Sequence, residues 1–336
     1  MTALHRRALG QGGPSVSSLC LGTMMFGDQT EAPEAARILE AFFAAGGNFV
    51  DTADTYTGGA SERMLAELLV DAPDDLFLAT KAGNPVAGVE GSGSLAPDWL
   101  TRAVDMSCER LRRDRLDLLY LHLDDELTPR EDVVSCLGRL LAEGRIAHWG
   151  ISNFRAWKMV DIVHLADAAG VARPVVVQPY YHMLNRGAEQ EIIPAAAHLG
   201  MGVVPYSVLG RGMLTGKYGT DGPPEGSRAA RGDPRLLENE FRPETMAAAA
   251  KLAAHATAKG NTPIGYALNW ALANTNITSA LIGPKSLAQL RDYLAATGEP
   301  YDDADEAMAE EICPSGRAPA AFYADPKYPY RGRSRA

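Results

Sequence analysis

The feature that most constrains this chain is a repeated unit. A short, continuously apolar run ends on a polar residue, and a stretch with apolar residues at i, i+3 and i+4 follows, often closing on glycine. The apolar runs lie at residues 19–23, 48–50 leading into Asp51, 76–79 leading to Lys81, 118–121 before His122, 146–151, 175–177 before Gln178, 202–204 before Tyr206, and 280–282 before Gly283. Helical patterns separate them: Ala35, Ile38, Leu39 and Phe42; Met64, Leu65, Leu68 and Leu69; Leu100, Val104, Cys108 and Leu111; Val133, Val134, Leu137 and Leu140. Strands that are apolar throughout are buried on both faces, as in parallel sheets, which need helical crossovers. About eight such units predict an α/β fold, a single closed (β/α)8 TIM barrel over residues 1–336. An open doubly wound sheet is the rival, but its GxGxxG fingerprint is missing after the first strand. Gly10-Gln11-Gly12-Gly13 precedes that strand and reads as the turn of an N-terminal hairpin.

Two segments depart from the repeat. Residues 207–243, after barrel strand 7, are rich in Gly, Pro and Arg and exceed the usual βα connection, as functional loops do. Residues 314–336 have no period and read as an irregular tail lying over the barrel, its last arginines a solvated end. With 46% hydrophobic and 22% charged residues the chain can bury a core, which excludes disorder as its default. A formal charge of −10 repels phosphate backbones and anionic membranes, so no nucleic-acid or membrane partner is expected. Cys20, Cys108, Cys136 and Cys313 form no CxxC pair and suggest neither a disulfide framework nor a zinc site. MTALHRRALGQGG lacks an apolar h-region, and no 18 apolar residues run together, which reads as a soluble, cytoplasmic protein.

In such a barrel the C-terminal strand ends share one mouth, so Asp51, Lys81, His122, Asn153, Gln178 and Tyr206 converge there, with Tyr56 on the loop after Asp51. Singly each has a bland reading. Asp51 or Asp54 turns or caps the chain, Lys81 is a surface charge, and His122 is a satisfied core histidine. Together an acid, a phenol, an ammonium and an imidazole on neighbouring strand ends make a chemical set. Buried Asp51 and Lys81 should pair, and the Lys81 cation should bring the Tyr56 pKa down. Tyr56 then gives a proton to an oxygen as negative charge forms on it, with His122 offering a second hydrogen bond. No nucleophile or metal cluster of suitable spacing accompanies them, so the electrons must come from a bound cofactor.

Eight stretches, LGTMMFG at 21–27, NFVDTADTY at 48–56, SERMLAELL at 61–69, ATKAG at 79–83, DLLYLHLDD at 117–125, GRIAHWGISNF at 144–154, VVQPYYHMLNR at 176–186 and VVPYSVLGRGMLTGKY at 203–218, together resemble the aldo-keto reductases, block by block and in order. The resemblance implies a catalytic tetrad of Asp51, Tyr56, Lys81 and His122 and an NADPH cofactor reducing a small-molecule aldehyde or ketone to the alcohol. It implies that Ser152, Asn153 and Gln178 hold the nicotinamide carboxamide and that Tyr206 stacks on its ring. Local readings are Asn153 as a helix cap and Tyr206 as a core aromatic. Ser207, Leu209, Gly212 and Lys217 match positions along the pyrophosphate, on a loop expected to fold over bound cofactor and to be mobile without it. After Gly283, Lys285 and Ser286 match the grip on the 2′-phosphate, although Ser286-Leu287-Ala288-Gln289 is also a capping box. Gln289 stands where many members have Arg, Arg291 points to another face, and Asp292-Tyr293 replaces Glu-Asn near the adenine. Phe26, Trp99, Trp149, Tyr180 and the tail aromatics are offered as the substrate wall. Two other functions compete: a cofactor-binding redox sensor with little turnover, and a metal-dependent hydrolase using Asp51, Asp54, His122 and His182, whose usual HxH or HExxH spacing is absent.

Overall fold

A computed structural model describes residues 3–218 and 222–320. A two-stranded antiparallel hairpin, β1 (Arg6–Ala8) and β2 (Ser15–Ser17), precedes eight parallel strands. These are β3 (Leu19–Gly22), β4 (Phe49–Asp51), β5 (Phe77–Ala82), β6 (Leu116–Leu121), β7 (Ile146–Ser152), β8 (Val176–Gln178), β9 (Gly202–Val203) and β10 (Ala280–Ile282). Their order is β10-β3-β4-β5-β6-β7-β8-β9. The ring closes through backbone bonds from Thr278 N to Val203 O (2.8 Å) and from Leu281 N to Pro205 O (3.0 Å). This is the expected (β/α)8 barrel with its hairpin.

The crossovers run through α1 (Ala32–Ala44), α2 (Ala60–Leu68), α3 (Pro97–Leu111), α4 (Arg130–Ala142), α5 (Ala156–Ala168) and α6 (Ile192–Leu199). Each turns its apolar stripe toward the strands, as Ala35, Ile38, Leu39 and Phe42 of α1 do, all buried. Between β9 and β10 the chain is longer than one crossover. A 3-10 turn at Gly210–Thr215 and α7 (Pro234–Asn239) lead into α8 (Pro243–Ala258) and α9 (Pro263–Ala273). The long connection therefore has structure of its own, pinned by Met213, Tyr218 and Leu236 in a small apolar cluster with Phe241 and Met246. Last come α10 (Leu287–Ala296), capped by Ser286, and α11 (Asp303–Ile312), opened by an Asp302–Asp305 capping box. The described part of the tail lies against the turn after β8, with Arg186 N bonded to Arg317 O at 2.9 Å. The tail aromatics and terminal arginines lie outside the described residues. Among the described residues no helix is long and apolar enough to cross a membrane.

Inside the ring Cys20, Phe49, Phe77, Leu118, Val176 and Val204 pack with Leu9 and Val16 of the hairpin, which closes the bottom of the barrel. That seal depends on Gly10. Its φ is +79°, and a Cβ there would lie 2.5 Å from Val175 O and 2.9 Å from Gly200 O. Gly10→Ala is expected to lower stability by about 2 kcal/mol or more, read as a lower urea midpoint at unchanged m-value.

Candidate active site

Side chains two apart on a strand share a face, and this periodicity builds the mouth from the core below it. Phe49 points inward, and so does Asp51; Phe77 and Ala79 lead to Lys81, Leu118 and Tyr120 to His122, Val176 to Gln178, and Val204 to Tyr206. Lys81 and Asp51 are each 1% exposed and form an ion pair. An ammonium has three protons to donate, and Lys81 spends them on Asp51 Oδ1, on Thr52 O (2.8 Å) and on Tyr56 Oη (3.1 Å). The other Asp51 oxygen accepts from Gln178 Nε2 at 3.0 Å. Burial alone would pull Lys81 down, but the Asp51 carboxylate and the Tyr56 oxygen outweigh it, and Lys81 is held above the ordinary lysine range.

Tyr56 departs from expectation. Burial pushes its phenol above 10, and the pull of Lys81 in the opposite direction, though real, does not cancel it. The phenol therefore stays protonated at neutral pH. Because its oxygen accepts from Lys81, its own proton is available to another acceptor. The His122 ring stands edge-on to Tyr56, with centroids 6.2 Å apart at 80°.

A chain of side-chain amides and hydroxyls continues from Asp51 around the rim. Ser152 Oγ donates to Gln178 O (2.9 Å), Asn153 Nδ2 donates to Ser152 Oγ (3.1 Å) and His122 O (2.8 Å), and Tyr206 Oη donates to Asn153 Oδ1 (2.8 Å). Asn153 is not a helix cap: Arg155 occupies the N-cap of α5, and Asn153 has φ +62°. Ser207 (φ +60°) and Arg211 (φ +53°) share this left-handed conformation at the same mouth. Non-glycine residues held there mark strain that the surroundings must maintain.

The mouth opens into a cavity of about 810 Å³. Of the residues singled out in the sequence, Asp51, Tyr56, His122, Ser152, Asn153, Gln178, Tyr206, Ser207, Leu209, Gly212, Lys217, Gly283, Lys285, Gln289 and Asp292 line it, and Lys81 lies beneath Tyr56. Ser286 does not line it; its hydroxyl accepts from Gln289 N at 3.3 Å as the cap of α10. The capping box is only half made, since Gln289 Oε1 accepts from Lys285 N (2.9 Å) instead of reaching back to Ser286. Arg291 is exposed and outside the lining. Phe26, Trp99, Trp149 and Tyr180 do not form the substrate wall. The first three are core residues, and Tyr180 packs between Tyr206 and His182. Met24, Met25, Asn84 and Pro85 line the cavity, as do Arg211, Arg228, Arg231 and Arg235 of the long connection. The density of arginine in residues 207–243 was the one sequence signal for those four.

One end of the cavity gathers like charges. Burial lowers the Lys217 pKa, and Lys285, Arg228 and Arg231 lower it further by repulsion. Lys217 Nζ also presses on Gly212, where a Cβ would meet it at 2.6 Å and φ is +101°. Asp51, Asp54, His122 and His182 do not meet: His182 is buried beside Tyr180 and Glu240, and among the described residues no three acids, histidines or cysteines are grouped to hold a metal ion.

A profile of the Aldo/keto reductase family matches residues 18–313. The chain belongs to the aldo/keto reductase family. It is similar to an uncharacterized oxidoreductase, YrpG, of Bacillus subtilis, with 31% identity over 94% of this chain and 98% of that protein. It is also similar to aflatoxin B1 aldehyde reductase member 2 of Homo sapiens (33%; 85% of this chain, 83% of that protein). A probable voltage-gated potassium channel subunit beta of Arabidopsis thaliana is 29% identical over 87% of this chain and 91% of its own length. This aldo/keto reductase is thus an oxidoreductase of a carbonyl-reducing family that works with nicotinamide cofactors. The donor set fits such a dinucleotide. Amide and hydroxyl groups at Ser152, Asn153 and Gln178 suit a carboxamide, and cations that repel one another suit a polyanion.

Asp54, two residues before Tyr56, is fully buried, and burial and the Glu62 carboxylate push its pKa up to about 8. The folded state therefore keeps a proton that the unfolded chain loses near pH 4, so Asp54 takes stability away as pH rises from about 4 to about 8. Asp54→Asn removes that loss. Its urea midpoint relative to wild type should rise between pH 5 and pH 8 by an equivalent of roughly 2–4 kcal/mol.

Proposed function

We propose that this chain reduces an aldehyde or ketone to the alcohol with NADPH, and that Tyr56 delivers the proton. What carries the reading is the three-way bonding of Lys81, which commits its protons to fixed acceptors and leaves the Tyr56 proton able to move at the floor of the cavity. When bound, the reduced nicotinamide supplies hydride to the carbonyl carbon. The chain's own residues do the rest. Tyr56 places its proton on the carbonyl oxygen as charge forms there, and the carbonyl becomes a hydroxyl with no charge left on the product. A phenol held above 10 is protonated at neutral pH and still far more acidic than the alcohol it forms. The phenolate that remains is countered by Lys81 at 3.1 Å, whose charge Asp51 sustains. His122, edge-on to the same ring, orients the carbonyl oxygen.

Ser152, Asn153 and Gln178 would hold the carboxamide, and Tyr206, fixed by Asn153, would lie against the nicotinamide ring. Ser207, Leu209, Gly212 and Lys217 would follow the pyrophosphate. Lys285 would meet the 2′-phosphate with Gln289 and Asp292 nearby, while Ser286 contributes by capping α10. The preference for NADPH over NADH rests on Lys285, since a chain of net charge −10 needs a local cation to hold a phosphate dianion.

Turnover tests the proposal. Protein mixed with NADPH and a panel of reactive aldehydes should consume the reduced-nicotinamide absorbance, and a folded sample that binds NADPH without consuming it would be a cofactor sensor instead. Tyr56→Phe is expected to slow the chemical step by about 10²–10⁴-fold with little change in NADPH affinity, since the phosphate contacts remain. Lys285→Ala should weaken NADPH binding far more than NADH binding in equilibrium titrations, and equal weakening would remove Lys285 from the 2′-phosphate.

A further inference from the structure

The reaction leaves one buried acid of the long connection unused. Glu240 follows α7 directly and is 4% exposed. Its carboxyl faces His182, fully buried in the turn after β8, with Oε2 3.4 Å from Nε2. This is not an ion pair. His182 Nδ1 accepts from Leu184 N at 3.2 Å and so carries no proton, which puts the single proton of the ring on Nε2, 3.1 Å from Tyr180 Oη. A neutral imidazole cannot balance a carboxylate, and among the described residues no lysine or arginine pairs with Glu240. A charge would be stranded there, so the acid keeps its proton. In agreement, burial pushes the Glu240 carboxyl up to about 8, and burial with the Arg211 guanidinium pushes the His182 imidazole down to about 3.

The place of this pair in the fold gives it reach. The long connection leaves the barrel just after Tyr206 and re-enters it at α8, and Glu240 lies at the returning end. At the leaving end Tyr180, which takes the His182 proton, packs on the Tyr206 ring with centroids 5.4 Å apart and meets its backbone at a bridge. The 3-10 turn at Gly210–Thr215 leans on the same group: a Cβ at Gly210 would meet His182 Cε1 at 3.5 Å, and Arg211 stands 5.6 Å over the Tyr180 ring. His182 is itself fixed by reciprocal backbone bonds with Asn185 (3.3 and 2.8 Å). Both ends of the connection are therefore moored on one residue of the barrel rim, and Gly212, Lys217, Arg228 and Arg231 line the cavity between them. The titratable and charged groups that face the pair are Tyr180 from the turn after β8 and Arg211 from the 3-10 turn. Arg211 opposes a charge on His182, and no charge offsets one on Glu240.

We infer that Glu240 and His182 form a clasp that holds the long connection on the barrel only while the carboxyl carries its proton, so that cofactor binding at this site is linked to that proton. The inference rests on the NADPH reading above and adds its regulation. Loss of the proton puts a charge where nothing balances it. That charge reaches water only if Glu240 parts from His182, and the returning end of the connection moves with it. The clasped, protonated protein is then the form competent to bind, and the apparent affinity falls with its fraction. Because the clasped form keeps the proton up to about pH 8, affinity is level below that pH and falls above it.

The test titrates NADPH into wild type and Glu240→Gln between pH 7 and pH 9. Lys217 and Lys285 are common to both proteins, so the readout is the ratio of the wild-type Kd to that of the variant at each pH. The ratio should rise by roughly tenfold over the interval, since the amide has no proton to lose. A ratio that stays constant overturns the inference. A second measurement needs neither cofactor nor variant. Residues 222–226 of the connection are exposed. Their cleavage by proteinase K in wild type, taken relative to an unfolded reference protein, should quicken by roughly tenfold over the same interval, because cleavage follows the population of the opened form. A relative rate that does not change overturns the clasp even if the variant fails to fold. Wild type that binds NADPH at pH 7 with a constant ratio removes only this inference, whereas wild type that binds no NADPH at pH 7 removes the cofactor reading and the linkage together.

Discussion

The interaction on which the site depends is the burial of one ammonium inside a closed sheet. Lys81 can remain charged at 1% exposure only because every proton it carries has an acceptor, and those acceptors are Asp51, a strand-end carbonyl and the Tyr56 phenol. The segment from Asp51 to Tyr56 is thus held to the end of β5 by one cation. The rim network from Asp51 through Gln178, Ser152 and Asn153 to Tyr206 extends the same constraint across the mouth. A buried polar group left unpaired along it would be costly, and these bonds fix the side chains relative to one another.

Most of the barrel was legible because its strands are apolar on both faces, and the strand ends were legible because a period of two carries a core position to a mouth position. Trp149 illustrates what that rule could have excluded. Gly150 and Ser152 alternate with it on β7, so Trp149 faces the helices, where its Nε1 donates to Ala172 O at 2.6 Å. Strand β9 is shorter than its apolar run suggested although Val204 N and Tyr206 N still donate to Val177 O and Pro179 O (2.9 Å each), since Pro179 on the neighbouring chain has no N–H to return, and pairing resumes at a bridge between Tyr180 and Tyr206.

What the sequence did not disclose is depth and loop geometry. That Lys81 neighbours Tyr56 was readable from residue types; that burial outweighs its pull on the phenol was not, because burial depends on everything packed around the ring. The arginines of the long connection have no period to place them. Only the buried Leu236 and the cap at Asp233 decide that Arg235 faces the cavity. Ser286 shows the converse: a local signal and a functional one coincided at one residue, and the local one accounts for its hydroxyl.

The crowding of Lys217, Lys285, Arg228 and Arg231 has a consequence for how the protein responds to its medium. Ordinary surface ion pairs, such as Arg6 with Asp75, lose strength as ionic strength rises. Here the screened interaction is a repulsion, so dissolved salt relieves this corner of the molecule while loosening others. Multivalent oxyanions, which bridge the cations as well as screen them, should tighten the long connection well before they affect the rest of the barrel.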